Sequence, residues 1–519
     1  MHHTAVDARD MDRQRKAIWD PFDFGARGDG VTFDTAALQS AIDACHESGG
    51  GRIVLHSGTF LSGTIYLKSH VTLYIEAGAV LLGSSNADDY PVIESRHPSY
   101  SGTYVTNKML VYAEDASNIA IMGRGTIDGQ GNSIQVTPYP RPSFSGRPRI
   151  IHFRGCENIM IRDVTLTDSS SWVQSYQSCR NLVIDGVTVE SPAVRRNNDG
   201  LDLVDCELVR ISNCSINSGD DAIVIKSLSP DQACRNITIT NCSVRSGASG
   251  IKIGTESSGG FEDITVQNCT VYDTHGDAIA IESVDGARIE RITVSGITIR
   301  KLGIAPVMIR LGNRGRSYRQ GVKAGTGSLR DVIIQNIQGA QISGQYGCSV
   351  TGLAEVPVIN IILQNINLEF EGGGTEEDAR RQIPENEDAY PSGRMFGTLP
   401  SYGFYIRHAR NLMMDNVQLR FLHEDVRPAI VGDDVEDLRI KDCRLQGATQ
   451  AACALRLVGV RNAMISQNQL TSEVPVFLTA SGGISAGIHL LNNSLERAGK
   501  TFTLGDGAAG TAVTESGNL

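Results

Sequence analysis

Four aspartates stand close together in an otherwise repetitive chain. Asp199 and Asp202 lie in the run Asn197-Asn198-Asp199-Gly200-Leu201-Asp202, and Asp220 and Asp221 follow Gly219. Neighbouring carboxylates repel and raise one another's pKa, so a fold keeps such a cluster where it needs an acid and a base together, or where a cation neutralises it. Three readings follow. A carboxylic acid and an ionised carboxylate flanking a glycosidic bond hydrolyse it: the acid protonates the leaving oxygen and the base activates water on the opposite face. Oxygen ligands grouped in this way also suit calcium. The third reading is structural, an Asn/Asp ladder capping turns, and it weighs most on Asp202 taken alone.

The chemical readings need the two runs to be neighbours in space, and an internal repeat supplies that. Aligned copies are Asn158-Ile-Met-Ile-Arg-Asp-Val-Thr-Leu166, Asn181 to Val189, Asn236 to Val244, Asp263 to Val271 and Arg291 to Ile299, with later ones starting near Asp331, Asn360, Asn411, Asp437 and Asn462. A spacing of about 23 to 29 residues signals a solenoid. Each copy alternates apolar and polar residues, bends at Asn, Asp or Gly, and adds a second short strand. Val, Ile and Thr dominate and no leucine ladder runs through the copies, which argues against a leucine-rich repeat. The expected fold is all-β, a right-handed parallel β-helix. Neighbouring coils would lie ~4.8 Å apart. Asp220 and Asp221 follow Asp199 by 21 and 22 residues, close to one coil, so they are expected side by side. In a strand Asp199 and Asp202 would face opposite ways; Gly200 offers the turn that lets them converge.

The segment Asp34 to Cys45 reads as an amphipathic helix with Asp34 at its N-cap, closed by Gly49-Gly50-Gly51 and covering the open end of the stack. The expected plan is an N-terminal extension over 1–20, one β-helix catalytic domain over 21–500, and a tail over 501–519. Insertions near 86–148 and 371–403, rich in Tyr, Pro, Ser or Gly, interrupt the period, and insertions on one face of a solenoid commonly wall a groove.

Composition removes several classes of partner. A net charge of -11 and a pI near 5.5 argue against nucleic acid and anionic membrane. No run of about 18 apolar residues spans a bilayer. Met1 to Asp20 is rich in charged residues and lacks the apolar core of a signal peptide, so a cytoplasmic location is expected. The eleven cysteines are odd in number and form no C-x-x-C pair; they read as small buried hydrophobes. No cofactor and no metal is expected, and oligomeric state is not legible.

At the aspartates the chain resembles glycoside hydrolase family 28, the polygalacturonase-like enzymes of pectin breakdown. The resemblance covers nearly everything from Phe22 onward. Asp23-Phe24-Gly25-Ala26-Arg27-Gly28-Asp29-Gly30 looks like the family's N-terminal signature, as do Ala77-Gly78-Ala79 and Gly123-Arg124-Gly125-Thr126-Ile127-Asp128-Gly129. Asn197 to Gly200 is similar to its Asn-Thr-Asp-Gly with Asn198 for Thr, Gly219 to Asp221 to its Gly-Asp-Asp, and Lys226-Ser227 to its bacterial branch. The resemblance implies an inverting mechanism with Asp220 as general acid and Asp199 and Asp221 holding and deprotonating the water. Asn197, Asp202 and Lys226 are expected to bind substrate beside them.

Two family motifs are broken. Gly-His-Gly should fall at Gly247-Ala248-Ser249-Gly250, and Arg-Ile-Lys, which grips a galacturonate carboxylate in polygalacturonases, aligns with Ala280-Ile281-Glu282. An anion stands where a cation is expected. Glu282 repels a uronate and accepts hydrogen bonds from neutral-sugar hydroxyls. Lys252 could supply the lost cation or bridge to Glu282, Arg310, Arg314 and Arg316 could supply it or form a solvated turn, and His275 could replace the imidazole although a lone His in a turn usually reads as surface. Trp172, Tyr176, Tyr390, Phe396 and Tyr402 offer faces on which a sugar could stack, Trp172 and Tyr402 being placed in the substrate site. Arg407-His408 follows the second insertion and reads equally as packing.

The leading function is thus an inverting glycosidase on pectic or related plant oligosaccharides, expected to be exo-acting and not to prefer plain polygalacturonate. A polysaccharide lyase or uronate epimerase on the same fold is a second reading, weakened by the lost Arg-Ile-Lys. A non-catalytic glycan-binding β-helix is a third, disfavoured by the two intact aspartate motifs.

Overall fold

A computed structural model describes residues 17–97, 107–134, 146–193, 197–317 and 324–519. It shows right-handed parallel β-helix coils, in two compact units that divide in sequence between Ile223 and Val224. Most of the expected N-terminal extension and parts of the first insertion lie outside the described residues.

The turn chemistry explains why the chain coils. Asn158, Asn181, Asn236, Asp263, Asp331, Asn360, Asn411, Asp437 and Asn462, the starts of the repeats, all have left-handed backbone with φ between 51° and 58°. Asn and Asp tolerate that conformation better than other side chains. Their side chains also bond from coil to coil: Asn181 Nδ2 donates to Asn158 Oδ1 at 2.7 Å, and Asn411 Nδ2 to Asn360 Oδ1 at 2.8 Å. Arg291 is the departure, with φ 56°. A charged pair replaces the amide there, its Nε donating to Asp263 Oδ1 at 2.6 Å.

In the first unit the strands β1 (Arg149–Arg154), β2 (Gln174–Gln177) and β3 (Leu201–Val204) stack in parallel, with His152 beside Ser175 and Ser175 beside Asp202. Ile151, Phe153, Tyr176, Leu201 and Leu203 are buried between these rows. In the second unit β4 (Ile251–Ser257), β5 (Ile279–Ser283) and β6 (Val307–Leu311) stack likewise, aligning Lys252 with Ala280 and Met308, and Glu282 with Arg310.

The helix α1 spans Thr35–Glu47 with Asp34 at its N-cap position, but the Asp34 carboxylate does not cap it. It accepts from the backbone N–H groups of Arg27 at 2.6 Å and Gly28 at 3.0 Å instead. The turn in the Asp23 to Gly30 signature outcompetes the helix for this carboxylate. All eleven cysteines are buried thiols. Coil strands run through 109–128, inside the expected first insertion, and continue past residue 500 at Ala498–Leu504 and Val513–Ser516, where a tail was expected. Among the described residues no helix is long and apolar enough to cross a membrane.

Candidate active site

Backbone hydrogen bonds fix the two aspartate runs against each other. Asp220 N donates to Asn198 O at 3.2 Å, Gly200 N to Asp221 O at 2.9 Å, and Leu201 N to Ala222 O at 2.9 Å. Asp199 therefore lies beside the Asp220–Asp221 step, one coil away. Both glycines are needed for this approach: a Cβ on Gly200 would sit 2.7 Å from Ala222 O, and one on Gly219 would collide with Ala193 O. The Asp220 carboxylate accepts from Asn197 N at 2.6 Å and from Asp221 N at 3.0 Å, so its orientation is set by main chain. Asn197 has φ 60° and presents that N–H from a left-handed turn. Asp199, Asp202 and Asp221 are buried.

Next to these carboxylates the structure places a row that sequence reasoning missed. Arg149, His152 and Arg154 on β1 are all buried. Arg154 Nε donates to His152 Nε2 at 2.7 Å, and His152 Nδ1 lies 2.7 Å from Ser175 Oγ and 2.9 Å from Arg149 Nη1. Burial and the two flanking arginines push the His152 imidazole well below its ordinary range, so it is neutral. Arg149 Nη1 donates to Ser175 Oγ at 3.0 Å, and the guanidinium lies 4.3 Å from the Trp172 ring centre. Burial lowers Arg149 to about 9, with Arg154 adding to the effect and Asp202 and Asp199 opposing it. It is a cation at neutral pH.

In the second unit Lys226 is buried on the strand 223–227, and Lys252 and Glu282 are buried too. Lys252 Nζ donates to the Tyr390 hydroxyl at 3.1 Å, Thr255 Oγ1 lies 3.1 Å from that hydroxyl, and Thr255 Oγ1 donates to Glu282 Oε2 at 2.8 Å. Thr255 has a single proton, committed to Glu282, so Tyr390 donates to Thr255 and accepts from Lys252. Tyr390 keeps 54% of its surface exposed, with Lys252 Nζ 5.4 Å and Arg314 Cζ 5.8 Å from its ring centre. It is the aromatic that sequence reasoning considered but did not place in the site.

Several expected substrate contacts are reassigned. Arg310 does not reach out as a replacement cation: it is buried, and donates to Gly352 O at 3.2 Å and Glu385 O at 2.8 Å, tying the 371–403 insertion to β6. Tyr402 lies in the core, its hydroxyl 2.6 Å from Gln446 O and its ring edge-on to Phe370 and Phe421. Trp172 is nearly buried, with Arg149 lying against its ring. Arg314 pairs with Asp285, Nε to Oδ1 at 3.0 Å, and His275 is exposed on a turn. Arg407 and His408 hold the insertion, His408 Nε2 lying 2.9 Å from Glu385 Oε1. Buried arginines stripped of carboxylate partners by a loop's carbonyls are not visible as such in a sequence.

The model of glycosyl hydrolases family 28 matches residues 45–387. The chain belongs to this family. A probable polygalacturonase of Vitis vinifera is 32% identical over 286 residues, 52% of this chain and 56% of that protein. An exo-poly-alpha-D-galacturonosidase of Dickeya chrysanthemi is 26% identical over 47% of this chain and 48% of its own length. The chain thus spans about half the length of these two curated relatives. The hyperthermoactive exopolygalacturonase of Thermotoga maritima shares the fold, with TM-score 0.58 and 22% identity over 77% of this chain and 91% of that one.

Within glycosyl hydrolase family 28 this member's departures have local causes. Asn198, in place of Thr, is buried and makes three bonds: it accepts from Ser191 Oγ at 3.1 Å and donates to Ser191 O at 2.9 Å and Ala193 O at 3.0 Å. A threonine hydroxyl has one proton and cannot donate to both carbonyls. Ala280, aligned with the family's arginine, packs with Ile304, Ala305 and Met308 under Met395 of the insertion. An arginine would have to displace that apolar cover.

Proposed function

We propose that the protein is an inverting glycoside hydrolase acting on chain ends of pectic or related plant oligosaccharides other than plain polygalacturonate. The observation that carries this reading is the stacking of Asn198–Leu201 on Asp220–Ala222, which brings three carboxylates together on two adjacent coils with Asp220 gripped by two main-chain N–H groups. Asp220 protonates the glycosidic oxygen as the bond to the anomeric carbon breaks. Asp199 and Asp221 orient a water on the opposite face and take its proton, so the new C–O bond has inverted configuration. Asn197 binds the sugar beside these groups; the fully buried Asp202 carboxylate is not a sugar contact.

The insertion supports chain-end attack. Met395, Phe396 and Leu399 pack over Ala280, Met308, Tyr405 and Val431, so that face of the second unit's coils carries a protein cover where an open-ended groove would be bare. The insertion is also fastened: Asp277 accepts from Gly393 N at 3.0 Å, and Arg407 Nη1 donates to Ile383 O at 2.8 Å.

Proton NMR of the first product, recorded before mutarotation during cleavage of pectic side-chain oligosaccharides, is expected to show the anomer opposite to that of the substrate linkage. A retained anomer would overturn the mechanism, and an unsaturated product absorbing in the ultraviolet would replace hydrolysis by elimination. EDTA is expected to leave the rate unchanged, because the aspartates act as acid and base rather than as ligands. Loss on chelation and recovery with calcium would favour the metal reading instead.

A further inference from the structure

Arg149 is 2% exposed. A buried guanidinium is costly unless other groups answer its charge, and an apolar side chain of similar volume would pack the same space more cheaply. Its direct contacts are neutral: His152, Ser175 and Trp172. Its Nε has no hydrogen-bond partner among the described residues. Arg154, the other cation on β1, is served from its far side by Asn107 Oδ1 at 3.1 Å and by the charge of Glu114. That leaves Asp202 and Asp199, whose charges act on Arg149 through space, as its counter-ions.

We propose that Arg149 is a positioning residue of the active site: its buried charge faces Asp199 and Asp202 as their countercharge, and its guanidinium fixes the Trp172 ring beside them, without touching the glycoside. Among the described residues, the groups around it are His152 and Arg154 on β1, Trp172 and Ser175 at β2, Asp199 and Asp202 at β3, and Met109 on the preceding coil. None but the two aspartates is anionic. A cation in this place favours the ionised form of the carboxylate that receives the water's proton. Its removal therefore moves the loss of activity on acidification to higher pH.

The role in catalysis rests on the reading of Asp199 as a base, so the test has one arm that needs no substrate. First, kcat/KM is measured against pH for the wild type, Arg149→Met and Arg149→Lys. The midpoint of the acid limb is expected to rise by about one unit in Arg149→Met, a roughly tenfold loss below it, with Arg149→Lys restoring most of the wild-type profile. An unmoved acid limb, with or without a lower Tm, would reduce Arg149 to a packing residue. Second, the chain has two tryptophans, so in a Trp19→Phe background Trp172 fluorescence alone is titrated between pH 3 and pH 7. The carboxylate midpoint it reports is expected to rise on Arg149→Met. If that midpoint moves while no oligosaccharide is cleaved, the positioning role stands and the hydrolase reading falls; an unmoved midpoint overturns the proposal whatever the activity. Should Arg149→Met fail to fold, Arg149→Gln removes the same charge and serves both arms.

Discussion

Asp220→Asn is expected to lower kcat by roughly 10²- to 10⁴-fold, the usual worth of a positioned proton donor, while leaving the coils folded. The side-chain geometry separates the two effects. Of the two N–H groups that Asp220 receives, from Asn197 and Asp221, an asparagine oxygen keeps one and its NH2 confronts the other. The stability cost is thus about 1 kcal/mol, one hydrogen bond, against several kcal/mol added to the barrier. Asp199→Asn and Asp221→Asn are expected to be severely impaired as well, because an amide cannot take a proton from water. Thermal melts recorded beside steady-state rates check both halves. Wild-type turnover in Asp220→Asn would remove it from the acid role.

The second large effect concerns substrate choice. Oligogalacturonate is expected to be a poor substrate, and neutral rhamnose- or galactose-containing pectic fragments better ones. A uronate carboxylate desolvated near Glu282 without a paired cation costs several kcal/mol, each 1.4 kcal/mol being a factor of ten. The structure narrows the escape route that the sequence leaves open. Arg310 is committed to loop carbonyls and Arg314 to Asp285; of the two other candidates, Arg316 has an exposed side chain, and Lys252, 3.1 Å from the Tyr390 hydroxyl, is the one tested. Rates on oligogalacturonate and on neutral oligosaccharides are compared for the wild type and Lys252→Ala. Efficient oligogalacturonate cleavage by both proteins defeats the argument; cleavage lost only in the mutant shows that the charge has moved to Lys252.

What was legible in the sequence was whatever repeats. The Asn and Asp at each turn announce their own left-handed backbone, so the coil period and the pairing of the two aspartate runs could be read without coordinates. Residues whose role depends on which coils become neighbours were not legible. His152, Ser175 and Asp202 form a row only once β1, β2 and β3 are in register, and nothing in the types of the first two marks them. Arg310 and Tyr402 were misplaced for a related reason. A cation and an aromatic beside a predicted groove look like ligand contacts, but the insertion brings carbonyls to the first, and Phe370 and Phe421 enclose the second. Asp34 shows the same competition locally, its carboxylate claimed by Arg27 and Gly28 rather than by α1.

The insertion also bears on how the second unit opens in time. Ladder bonds such as Asn360 to Asp331 join residues 29 apart, so coils can open and close one after another, as a front that starts at the terminal strand Val513–Ser516. The arginine contacts are of another kind: Arg310 to Glu385 spans 75 residues and Arg427 to Gln345 spans 82. A front moving toward the N-terminus reaches these clasps before it reaches Lys252 and Glu282. Each clasp must be released as a whole, stranding a buried guanidinium, before the front can pass. Amide protons in β4 and β5 are therefore shielded from opening at the C-terminal end by two clasps, Arg310 on the strand next to β5 and Arg427 further along the stack.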